Sequence, residues 1–142
     1  MGKTNWKRVL LGGLVAGIVI NVLSVISVEL FFKKMVESAA PNPAMRETPA
    51  LIVFYLVFYL IIGILAVWLY SAIRPRYGAG VKSALLAGIA FWILNGLMPV
   101  LGYGAFGLLS APRNVLVIDS VRYLVMLVVG TLAGAWVYKE QS

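Results

Sequence analysis

Apolar residues fall in four long runs along this chain, and nearly all the charges lie between them. The runs cover 9–32, 50–73, 83–101 and 114–138. Each spans about 19 to 25 residues, and a helix rising ~1.5 Å per residue needs about 20 to cross a hydrocarbon core of ~30 Å. No soluble core needs four such runs in 142 residues. The pattern predicts an all-α integral membrane four-helix bundle, with residues 1–142 as a single transmembrane domain.

Composition sharpens this picture. Hydrophobic residues make up 62% of the chain and charged ones 12%, about half the globular norm of ~25%. The net charge of +7 does not point to nucleic acid, because the cations cluster at the ends of the runs and form no interleaved patch. A basic rim facing anionic lipid heads on the cytoplasmic side of the bilayer accounts for the same charge. The chain has no Cys and no His. Thiol chemistry, haem on imidazole and a Ser–His–Asp triad are thereby excluded, and no cofactor or metal is expected.

The short loops set an orientation. One side carries Lys3, Lys7, Arg8, Arg74, Arg76, Lys82 and Lys139; the other carries Lys33, Lys34, Arg46 and Arg113. The cation-rich side belongs in the cytoplasm, which puts both termini there. Trp6, Trp68, Tyr70, Tyr77, Trp136 and Tyr138 then read as an inner aromatic belt, and Tyr55, Tyr59 and Tyr103 as an outer one. The first run follows Lys3, Lys7 and Arg8 as a signal peptide would, but it is far longer than the ~7–15 residues of a signal core, so it reads as an uncleaved span.

Three connections carry Pro, two of them with Gly. The outer segment from Lys33 to Thr48, with Pro41 and Pro43, reads as a flexible loop. In the inner loop from Arg74 to Lys82, Pro75 is expected to stop the helix, and Gly78 and Gly80 to supply positive φ. Pro99 followed by Gly102, Gly104 and Gly107 is expected to end or kink the third span near a re-entrant turn. The GxGxxG spacing there is not a dinucleotide site, because no strand precedes it.

A faint repeat links the two halves. Ile20-Asn21-Val22-Leu23 matches Leu94-Asn95-Gly96-Leu97. The segment from Gly63 to Tyr70 matches that from Gly130 to Tyr138, apart from one added residue. A duplicated two-helix hairpin would place a pseudo-twofold along the membrane normal.

Small residues and amides must hold the helices together, since burying Leu gains little in lipid. Gly13 with Gly17, Gly130 with Gly134 and, more weakly, Ala84 with Gly88 form small-xxx-small steps. They pack either within the monomer or in a homodimer seam. Asn21 and Asn95 are the deepest polar side chains, and a mutual hydrogen bond is the expectation. The alternative is a polar midplane site for a small substrate. Asn21 shares the helix face of Gly13 and Gly17.

Of five acids, only Glu29 and Asp119 lie within the runs. Asp119 and Arg122 are i, i+3 neighbours able to pair near the outer interface. Glu29 is expected to reach Arg122 or Arg113, forming a structural ion cluster or a proton or substrate relay. An ionisable residue inside a membrane is a functional lead by default.

The segment Val117-Ile-Asp119-Ser-Val-Arg-Tyr123-Leu, followed by Gly130, resembles small bacterial four-span membrane families that carry no assigned function. That resemblance implies the inner (plasma) membrane of a bacterium and brings no catalytic residues. Glu29 also invites comparison with small multidrug-resistance transporters, but it lies too near the outer end, and nothing is carried over. The expected function is a structural or accessory role without catalysis. The alternative is a small transporter or channel acting as a homo-oligomer, using Asn21, Asn95, Glu29, Asp119 and Arg122. A lipid-active enzyme at the Asp119–Arg122 pair is disfavoured, since no nucleophile–base pair is evident.

Overall fold

The computed structural model describes residues 4–33, 48–106 and 113–138. The first span is α1 (Trp6–Ser27), extended by a π-helical turn at Val28–Phe32. Asn5 caps it, its Oδ1 accepting from the Arg8 N–H at 3.2 Å. The second is α2 (Pro49–Tyr77), where Thr48 Oγ1 accepts from the Leu51 N–H at 3.2 Å. Pro49 opens this helix at the position where its missing N–H is harmless. The third span comprises α3 (Val81–Trp92), a π-helical turn at Ile93–Leu97, and α4 (Met98–Phe106). The fourth is α5 (Arg113–Val137). All four spans are long and apolar enough to cross a membrane. The protein is an all-α, multi-pass membrane bundle.

Two prolines behave differently from expectation. Pro75 lies inside the last turn of α2, and the helix ends at Gly78 (φ +88°), whose N–H donates to Arg74 O at 2.8 Å. A proline two residues from a helix end removes a bond from a turn that frays anyway, so the positive φ of Gly78 makes the stop. Gly80 (φ +122°) completes the reversal into α3, as expected. Pro99 does not end the third span. The chain passes it after a π-helical turn in which the Met98 N–H reaches back to Ile93 O, and that wider register absorbs the proline. Gly102 and Gly104, expected near a re-entrant turn, lie inside α4 instead. Residues 34–47 and 107–112, Gly107 among them, lie outside the described residues.

The spans form a four-cornered ring. The α1 helix packs between α2 and α5, and α3 packs against α5 and α2. The first and third spans therefore stand at opposite corners, as do the second and fourth. This is the placement a twofold relation between hairpins requires. The second and fourth spans approach across the middle. Val67 reaches both Gly12 and Gly134, and the Tyr59 and Tyr123 hydroxyls lie 3.2 Å apart.

Close backbone contact holds the ring, within the monomer. Gly13 and Gly17 meet α2, where a Cβ on Gly17 would lie 2.6 Å from Leu60 Cα. Gly63 fills the reciprocal position, and a Cβ there would lie 2.5 Å from Gly13 O. One residue round the helix, Gly12 and Ala16 face α5 instead. Gly134 lies against Gly12 O and Ala16, and Gly130 against Ile20. Gly88 meets Val128 of α5, and Ala84 lies in the core beside Val67. The three small-residue steps therefore do not meet each other; each receives a different neighbour. Gly12, Ala16 and Gly63 are the partners that the motif spacing did not single out.

Candidate functional site: two polar layers

Five polar or charged positions stand out in the sequence, and the structure brings only two of them together. The α5 helix places Asp119 and Arg122 one turn apart. Asp119 Oδ1 accepts from Arg122 Nε at 2.8 Å and pairs with Nη2 at 2.7 Å. Their side chains are 25% and 13% exposed, so the pair is largely withdrawn from the surroundings. Arg122 Nη1 donates to Ser27 Oγ at 3.2 Å, which ties α5 to the end of α1. The guanidinium also lies 4.9 Å from the Tyr123 ring centroid.

Glu29 does not join them. It pairs with Lys33 at 3.6 Å, with both side chains more than half exposed. The reason is helical phase. Ser27 faces α5, and a residue two positions on is turned by about 200°. Glu29 therefore lies near the level of the pair but on another face of its helix.

Asn21 and Asn95 do not bond each other either. Asn21 Nδ2 donates to Gly17 O at 2.9 Å and to Leu56 O of α2 at 3.2 Å. Asn95 Nδ2 donates to Phe91 O of its own helix at 3.0 Å. The two amides belong to opposite corners of the ring, with α2 and α5 between them. Each finds the nearest backbone carbonyl instead, one turn back. Asn21 does share the α2-facing side with Gly13 and Gly17, as its spacing required.

The rest of this layer consists of aromatic donors. Tyr123 bonds Tyr59, and Trp92 Nε1 donates to Ser120 O at 2.8 Å. Gly96 leaves room for Trp92 and Tyr123. A lateral groove of about 300 Å³ opens between α1 and α5, lined by Leu23, Ser27, Phe31, Val121, Arg122 and Val125. Phe31, Val121 and Val125 are more than half exposed, so the groove faces outward and not into the ring. Among the described residues, no three His, Cys, Asp or Glu side chains converge.

The second layer lies at the opposite, basic end, and residue-by-residue reading missed it. Tyr70 and Tyr138 are 4% and 5% exposed. They are buried within the bundle and do not belong to a lipid-facing belt; Tyr59, at 4%, is likewise interior. Tyr70 OH accepts from the Gly80 N–H, and Tyr138 OH accepts from the Asn5 N–H, each at 3.3 Å. Gly80 and Asn5 are the residues that open the third and first spans. Each hairpin thus supplies the tyrosine that receives the opening residue of the other. The matched ends at Tyr70 and Tyr138 were the available signal. Trp6, Trp68, Tyr77 and Trp136 remain exposed, as interfacial aromatics should.

No family model, no curated protein and no solved structure matches this chain.

Proposed function

We propose that this protein serves a structural or accessory role in its membrane, without catalysis of its own. The closed middle of the ring supports this reading. Val67, Ile20, Leu127 and Met126 are at most 1% exposed, and Tyr59 and Tyr123 bridge the diagonal. The amide nitrogens of Asn21 and Asn95, which would line a midplane substrate site, instead donate to backbone carbonyls. A bundle packed in this way offers its outer faces, not an interior, to other molecules.

The test exploits the absence of cysteine. Asn21→Cys and Asn95→Cys variants should resist a membrane-impermeant thiol reagent applied from either side. Crosslinking in native membrane should recover a different integral membrane protein beside this one. Labelling of both positions together with solute flux through liposomes holding the purified chain would overturn the reading.

A second reading, a homo-oligomeric transporter, draws on the outward groove with Arg122 in its wall. Its candidate pathway would run between copies of the chain. Mass measurement in detergent separates the two readings, because this second one requires a multiple of the 15.4 kDa chain.

A further inference from the structure

We propose that the basic end of the bundle is a binding surface for the headgroups of anionic phospholipids. Lys7 and Arg8 open α1, Arg74 and Arg76 close α2, and Lys82 opens α3. Both described acids in the spans, Glu29 and Asp119, lie toward the other end. Lys7, Arg76 and Lys82 are exposed, while Arg8 and Arg74 are half-buried. The tyrosine pair draws these segments together. Tyr138 receives Asn5, two residues before Lys7, and Tyr70 receives Gly80, two residues before Lys82. Arg74 lies over the Tyr138 ring at 5.7 Å, so its charge is held at the middle of this end.

Neighbouring aromatics fix the depth. Trp6 and Tyr77 adjoin the cations in sequence and are 61% and 50% exposed, and Trp136 is 90% exposed. Trp and Tyr settle at the level of lipid headgroups, so the cations beside them are held where phosphates lie and do not project into bulk water. A cluster of Lys and Arg at that level selects a net negative headgroup over a zwitterionic one. Lipid binding at this end is independent of any accessory role.

The test uses the full chain in detergent. Phosphatidylglycerol and phosphatidylcholine with identical acyl chains are titrated against it, and bound lipid is counted by native mass spectrometry. Phosphatidylglycerol should be retained preferentially. Each of Lys7→Gln, Arg76→Gln and Lys82→Gln should weaken that retention by roughly fivefold. Raising salt from about 0.1 to 0.5 M should weaken it in the unmodified protein as well. Equal retention of the two lipids would overturn the proposal, and so would a preference that survives the triple variant. If the triple variant does not fold, the salt series on the unmodified protein decides, and a salt-insensitive preference counts against the proposal.

Discussion

The Tyr70 and Tyr138 rings meet edge to face, with centroids 5.9 Å apart and planes at 90°. This is a favoured aromatic geometry, and it joins the ends of the second and fourth spans across the ring diagonal. Each hydroxyl also holds the opening residue of a span in the other hairpin. Tyr70→Phe or Tyr138→Phe keeps the ring and loses one hydrogen bond, so each should cost about 1 kcal/mol. Tyr70→Ala should cost about 3 kcal/mol or more, because it also leaves a cavity. Unfolding in mixed micelles with a graded denaturing detergent measures both.

Gly63 faces backbone on two sides, and no side chain there can move aside to admit a methyl group. Gly63→Ala should separate α1 from α2, cost about 1–3 kcal/mol and reduce folded yield. Gly102 supplies the control, since a Cβ there meets nothing within 4 Å. Gly102→Ala should be neutral or stabilising by up to about 1 kcal/mol, through helix propensity alone.

The Asp119–Arg122 pair is withdrawn enough that neither charge is well hydrated alone. Arg122→Gln should strand the carboxylate and cost on the order of 3 kcal/mol. Adding Asp119→Asn should recover part of that loss, and the double-mutant cycle reads the coupling. Glu29→Gln should change stability by no more than about 0.5 kcal/mol, because its pairing with Lys33 is exposed.

Asn21 reaches across to α2, whereas Asn95, among the described residues, bonds only its own helix. Asn21→Leu should therefore cost about 0.6–2 kcal/mol, and Asn95→Leu much less. The two changes should add without coupling, since their partners are not shared. A coupling energy above about 0.5 kcal/mol would contradict their placement at opposite corners of the ring.

Sequence alone determined the solvent, the number of spans and the residues able to bring helices close. Those follow from run length against bilayer thickness and from residue size, both local properties. It also placed Asn21 on the face of Gly13 and Gly17, because spacing along one helix fixes phase. Which helix receives each face was decided only by the tertiary structure. Gly12 and Gly13 are adjacent in the chain yet serve different neighbours, and nothing in their order says which. Asn21 and Asn95 both lie deep in their runs but stand at opposite corners. Glu29 shares a depth with Arg122 but turns the other way. Depth is read along one axis, whereas contact also needs the azimuth of each helix and the order of the ring. Those are set by all four helices packing at once.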